Sequence, residues 1–290
     1  MLLRRNLIIL GLLAASVLAA GTAGCNRSTA PTVLVTPSAA PSGDLLSDVR
    51  QRGTLIIVTD PNYSPQSKRD ADGSWHGFDV AVGRQIARRL GVRPVFEPAD
   101  FGLVVRGNWL GKWDINVGSM SITSQRAKAL WFTRSYYSVP GAIAVSSSSG
   151  IQGVDDLAGK RIGVADATTF QAFLAGRLGK NRFVSMHVQA VPYDTDVHAL
   201  RDLTASNPRS IWAVLTSLPT IRSAMSAGIP LRTIDGTVYR DDSAIALDRS
   251  SFRSPLRLLW AVDDIVAAMR RDGTLKRLSI QYYAMDLTKR

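Results

Sequence analysis

From Leu45 onward, short apolar runs alternate with stretches in which apolar positions recur every three or four residues. The first pattern predicts buried strands and the second amphipathic helices. "TLIIVT" (54–59), "VRPVFEPA" (92–99), "WDINVG" (113–118), "GAIAVS" (141–146), "RIGVAD" (161–166), "IWAVLT" (211–216) and "SAIALD" (243–248) read as strands. A short helix is expected in "DLLSDVRQRG" (44–53), closed by Gly53. A longer one follows the turn signal "DADGSW" (70–75), where Phe78, Val82, Ile86 and Leu90 repeat at four-residue spacing before Gly91. Further helices are expected from about Ser124 and near 169–178, 194–205 and 254–271. Strands alternating with helices predict an α/β fold whose sheets are mostly parallel and covered on both faces.

The first 44 residues follow neither pattern. Arg4 and Arg5 precede the apolar run "LIILGLLAASVLAA" (7–20), and "GTAGC" ends at Cys25. A charged start, an apolar segment too short to span comfortably and small residues before a cysteine predict a secretory signal over 1–24. Cys25, the chain's only cysteine, then stands where a bacterial lipobox carries its acylated residue. Residues 25–44 are rich in Ser, Thr, Pro and Ala and predict a flexible tether. Such a chain is anchored to the outer face of the cell membrane by lipid and does not span it.

Composition narrows the function. The 290 residues carry a formal charge of +12, or +10 once Arg4 and Arg5 are removed. Arg and Lys are scattered, singly or in pairs, from Arg50 to Arg290, with no zinc-knuckle, RNP-like or helix-turn-helix signature, so nucleic acid is not an expected partner. His76, His187 and His198 lack metal-ligand spacing, and no metal or other cofactor is expected. There is no G-x-S-x-G elbow, P-loop or H-E-x-x-H, and no catalytic residue is assigned.

In parallel α/β sheets ligands gather at the carboxyl ends of strands. Those ends carry "TDPNY" (59–63), "GSMSITSQR" (118–126) and "DATTFQAF" (166–173). Ser119, Ser121 and Thr123 set hydroxyls beside Arg126 in the expected first helical turn, where a cation is mildly disfavoured and an anionic partner would be welcome. A carboxylate held by Arg126, hydroxyls and backbone N–H groups satisfies that arrangement.

The order of segments closely resembles the polar-amino-acid family of extracytoplasmic solute-binding proteins that serve ABC importers, from about Gly53 to Tyr283. Its carriers are "GTLIIVTDPNYSP", "DADGSWHGFDVAVGRQIARRLG", "GKWDINVGSMSITSQRAKALWFTRSYYS", "GVDDLAGKRIGVADATT" and "MRRDGTLKRLSIQYY". The resemblance implies a two-lobed fold of the periplasmic-binding-protein type (type II), two mostly parallel sheets joined by two crossover strands. The first lobe would hold 45–140 and 240–290, the second 141–239. Carried onto this chain, Asp60, Tyr63 and Phe101 become ligand contacts. Gly118, Ser119, Ser121 and Arg126 become contacts to the ligand's α-carboxylate and α-ammonium, and Thr168 and Thr169 join when the lobes close. Ser217 stands where the family commonly places an ammonium-binding aspartate; Ala167 replaces a glycine and Gln66 an aromatic residue. Either Asp60 or Asp194 then takes the ammonium, or the ligand is not a standard α-amino acid. Arg69, with Lys68, would face a side-chain carboxylate, which favours glutamate, aspartate or their amides as cargo, with basic amino acids as the alternative. The implied protein is a monomeric binder delivering an amino acid to permease subunits. A sensor signalling to a membrane partner and a dehydratase of the same fold, with Asp60 or Asp194 as acid or base, are the competing readings.

Overall fold

The computed structural model describes residues 43–205 and 211–289. The expected signal, Cys25 and all but the end of the expected tether therefore lie outside the described residues. The described residues form one compact unit. Its elements in chain order are α1 (Leu45–Arg52), β1 (Thr54–Thr59), β2 (Asn62–Tyr63), β3 (Ser67–Arg69), β4 (Trp75–His76), α2 (Phe78–Leu90), β5 (Arg93–Pro98), α3 (Phe101–Val104), β6 (Ile115–Ser121) and β7 (Leu130–Ser146). They continue with β8 (Arg161–Ala165), α4 (Thr169–Leu174), α5 (Arg182–Ser185), β9 (Gln189–Tyr193), α6 (Asp196–Leu203), β10 (Ala213–Ser217), α7 (Leu218–Ser226), β11 (Leu231–Asp248), α8 (Leu256–Arg271) and α9 (Thr274–Tyr283).

Eight strands form one sheet in the order β5-β1-β6-β11-β7-β10-β8-β9. The outer strands are parallel: β1 pairs with β5 and β6 on one side, and β8 with β9 and β10 on the other. The two central strands are long, antiparallel and paired from Leu231 opposite Ser146 to Asp248 opposite Leu130. "GAIAVS" and "SAIALD" are thus the last portions of two strands that cross between the halves of the fold. The lobe limits expected at 140/141 and 239/240 fall inside these crossovers. Pairing through β7 and β11 makes the two expected sheets one hydrogen-bonded ladder.

One expected helix is absent. The chain after Ser124 makes only a single 3₁₀ turn, Arg126–Lys128, before entering β7. The aromatic and β-branched run "WFTRSYYSV" favours a strand, and its pairing with β11 consumes the residues a helix would need. The helix expected at 169–178 is α4, only six residues long.

The core presses on the site from behind. Phe78 stacks on Tyr136 with centroids 5.9 Å apart, and Tyr137 stacks on Tyr283 at 5.8 Å. α2 begins at Gly77, whose φ of +122° and position against the β2–β3 turn exclude a side chain: a Cβ there would lie 2.3 Å from the Gln66 carbonyl oxygen. That close approach seats Gln66 inside the fold.

Candidate functional site

The carboxyl ends of β1, β6, β8 and β9 converge on one cavity between the two halves of the sheet. Nine of the eleven expected ligand residues line it: Asp60, Tyr63, Phe101, Gly118, Ser119, Ser121, Arg126, Thr168 and Thr169. Arg69 and Ser217 do not. Arg69 is exposed on the β2–β4 ribbon, its guanidinium 6.0 Å from the Trp75 ring. Ser217 is buried, caps α7 by accepting the Thr220 N–H (3.1 Å) and accepts from Gln66 Nε2 at 2.8 Å. Thr220 Oγ1 donates back to Gln66 Oε1 at 3.3 Å. The position that would hold an ammonium-binding aspartate is therefore occupied by a dry polar trio linking the two sides of the cleft.

Arg126 enters from the turn after β6. Thr123 Oγ1 accepts its backbone N–H at 3.1 Å, which fixes the turn. Its guanidinium donates to the Ser121 carbonyl (3.0 Å) and, across the cleft, to the Ala167 carbonyl (2.9 Å). It lies 5.1 Å from the Phe101 ring, a cation–π distance. Burial lowers its pKa to about 10, and nearby Asp241 and Tyr239 act in the opposite direction. Ala167 holds φ +57°, a left-handed backbone that costs a non-glycine residue roughly 1–2 kcal/mol.

Asp241, on the crossover strand β11, is the carboxylate that Arg126 faces, and sequence reasoning missed it. Ser121 Oγ and Thr169 Oγ1 both donate to its Oδ2, while they lie 3.1 Å from each other. Tyr239 OH donates to its Oδ1 at 3.4 Å. Burial raises the Asp241 pKa; the hydroxyl bonds and Arg126 act against that rise. The expected carboxylate-binding set, Ser121, Arg126 and Thr169, is thus gathered around a carboxylate of the protein itself.

At another part of the lining, carboxylates stand without a cation. Asp60 Oδ1 accepts the Asn62 N–H at 2.7 Å, and burial followed by repulsion from Asp100 raises its pKa. Asp196 opens α6 behind the N-cap Thr195, whose hydroxyl accepts the His198 N–H at 3.2 Å. Asp196 is buried, and its Oδ1 has no hydrogen-bond partner among the described residues. Burial pushes its pKa up to about 7; the Thr216 hydroxyl acts against that rise and Asp60 adds to it. The Tyr63 phenol is raised by burial and then by Asp196. Asp166 and Asp194 complete a lining of five aspartates and one arginine. Asp196 had a cue in "DTDVHAL", but an acid after a threonine cap reads first as a complement to the helix dipole.

Ser119 differs from its neighbours. It holds φ +52°, and its hydroxyl turns inward to donate to Asp79 at 2.6 Å. Tyr136 OH also donates to Asp79, at 2.6 Å, and accepts the Ser119 N–H at 3.0 Å. Asp79 thereby anchors the cavity wall from within. Among the described residues no His/Cys/Asp/Glu group has the arrangement of a metal site.

Residues 55–285 match the profile described as "Bacterial extracellular solute-binding proteins, family 3". The L-cystine-binding protein TcyJ of Escherichia coli strain K12 is 27% identical, over 84% of this chain and 88% of its own length. The lysine/arginine/ornithine-binding periplasmic protein of the same strain is 24% identical, over 81% of this chain and 89% of its own. In three dimensions the chain resembles an ABC uptake transporter substrate binding protein from Streptococcus pneumoniae with bound histidine, at a TM-score of 0.73 and 20% identity. That likeness covers 86% of this chain and all of the other.

Proposed function

The chain belongs to the bacterial extracellular solute-binding proteins, family 3, and from that premise we propose that it captures a cationic amino acid outside the membrane and hands it to an ABC importer. The observation that carries the choice of cargo is the charge of the cavity lining, five aspartates against one arginine. An acidic side chain would add a negative charge to that lining, and Arg69, the residue expected to receive one, lies elsewhere. A second positive charge on the ligand compensates the surplus, because an opposite charge within about 4–6 Å favours the ionised carboxylate.

In this reading the ligand's α-carboxylate faces Arg126 over the Phe101 ring. Its α-ammonium falls to Asp60 and Asp196, which line the cavity at the end of β1 and the start of α6. The second cation is held among Asp166 and Asp194. The named specificity of the lysine/arginine/ornithine-binding relative agrees with such a cargo. A capture role needs no bond making, and both named relatives are binding proteins. Lipid anchoring through Cys25 and a monomeric state belong to the same proposal.

A thermal-shift panel tests it, since a ligand that binds only the folded state raises Tm by mass action. Arginine, lysine or ornithine should raise Tm by several degrees, histidine and cystine less, and glutamate not at all. A larger shift with glutamate or glutamine overturns the choice of cargo. Turnover of a 2-oxo or cyclohexadienyl acid would overturn the capture role itself.

A further inference from the structure

The three most exposed large apolar side chains among the described residues are Phe252 (67%), Trp260 (61%) and Leu110 (59%). All three surround the place where the chain coming from Cys25 enters the body. Asp44 forms a parallel bridge with Ser254; Ser254 N–H donates to the Gly43 carbonyl and Leu45 N–H to the Ser254 carbonyl, each at 3.1 Å. Phe252 lies two residues before that bridge. A Cβ built on Gly111 would sit 4.0 Å from the Phe252 ring, so the loop carrying Leu110 packs beside it. Asp248 pins this loop by accepting the N–H groups of Asn108 (3.0 Å) and Trp109 (2.7 Å). Trp260 lies one turn beyond Arg257 on the same face of α8, and Arg257 reaches Asp44 at 3.0 Å.

Exposed apolar residues scattered singly need no explanation, but the three largest gathered at one place do. Cations share the place. Lys112 follows Gly111, and Arg253 and Arg257 stay 46% and 63% exposed while paired with Asp48 and Asp44. Asp264, one turn along α8 from Trp260, is the exposed acid beside them. The chain from residue 43 on carries +9, the formal +12 less the three arginines before it. Aromatic and leucine side chains among cations are what an anionic lipid surface accepts, apolar groups at the acyl boundary and cations at phosphate level. Only seventeen residues separate Cys25 from Gly43, so this end of the body is the one tied to the proposed anchor.

We propose that this face rests on an anionic lipid bilayer, with Phe252, Trp260 and Leu110 in the headgroup layer and Lys112, Arg253 and Arg257 at lipid phosphates. The docking orients the body on the membrane and is independent of which ligand the cavity takes.

The test uses the full chain with Cys25→Ser and Phe252→Cys, so that one thiol carries an environment-sensitive dye. On vesicles containing phosphatidylglycerol the dye should shift to the blue by about 10–20 nm and be quenched by nitroxide lipids, as expected for a residue at the acyl boundary. The effect should weaken on pure phosphatidylcholine and fall at least about twofold with Lys112→Glu and Arg257→Glu together, since each cation near an anionic surface contributes about 1 kcal/mol. The same dye on Leu178→Cys, on a distant exposed loop, should stay water-like. Water-like emission from position 252 on both vesicle types overturns the proposal, as does equal quenching at position 178. A blue shift already present before vesicles are added also overturns it, pointing to a second copy or another segment of this chain as the occupant.

Discussion

Asp79 and Asp196 are both buried aspartates at the start of a helix, and burial pushes both to a pKa of about 7. Their surroundings differ. Asp79 sits among Phe78, Tyr136 and Tyr137 and accepts hydroxyl bonds from Ser119 and Tyr136. Asp196 lines the cavity and keeps one oxygen without a partner. A perturbed pKa alone would have ranked the two equally as candidate functional groups. Place and partners separate them: Asp79 accepts two hydroxyl bonds inside the core, whereas Asp196, beside the Thr216 hydroxyl, stands on the cavity wall.

The sharpest way to break this contrast is to neutralise each carboxylate in turn. Asp196→Asn should weaken binding of a cationic amino acid by about 30- to 200-fold, the loss of a charge-assisted bond of roughly 2–3 kcal/mol. Asp79→Asn should leave affinity within about threefold and lower Tm by several degrees, because two donors lose their charged acceptor. Calorimetry and thermal melts of both variants would show the pattern, and equal affinity losses would erase the distinction.

The pH dependence comes next in size. In the ligand-free protein Asp196 is protonated below about pH 7, whereas in the unfolded chain it ionises near its ordinary value. Between those pH values the folded state binds more protons than the unfolded state, so this group subtracts stability as pH rises. Asp196→Asn should therefore raise the ligand-free Tm at pH 8 and do so much less at pH 5. Binding of a cation has the opposite sense, and affinity should rise roughly tenfold from pH 5.5 to 8 as Asp196 ionises. An affinity flat across that range would place the ligand away from Asp196.

A smaller effect is expected at Asp241. Because its carboxylate already faces Arg126 and holds Ser121 and Thr169, it competes with a ligand carboxylate for the same donors. Asp241→Asn should tighten binding by about three- to tenfold, roughly 1 kcal/mol. Weaker binding in calorimetry would mean that Asp241 meets the ligand's cation instead. The smallest effect concerns the trio outside the cavity. Gln66→Ala should speed ligand dissociation about fivefold in stopped-flow measurements, the release of roughly 1 kcal/mol, with the composition of the cavity lining unchanged.

Much of this architecture is legible in the sequence. β1, β8 and β10 lie within one or two residues of their apolar runs, since strands buried on both faces read as continuous hydrophobic stretches; β5, a partly exposed edge strand, lies equally close to its run. β7 and β11 were visible only as their final six residues. Their remaining lengths, around Arg134 and Asp235–Asp242, mix charges with apolar residues because they turn between two environments. The first-lobe contacts were readable because they follow strand ends in local order. Asp241 and Asp196 were not, because what distinguishes them is distant in sequence: Asp241 takes hydroxyl bonds from residues 72 and 120 positions away, and Asp196 meets Asp60 from the other side of the cavity. Ser217 misled for the same reason: its role is decided by Gln66, 151 positions earlier.

The hydrogen bonds among Gln66, Ser217 and Thr220 join two sides of the fold beside the crossover strand β7 and are sealed from solvent. Parting the halves means wetting three polar groups together, whether or not cargo is aboard. If release of a ligand requires that parting, two variants with identical cavities would differ in how long they hold it.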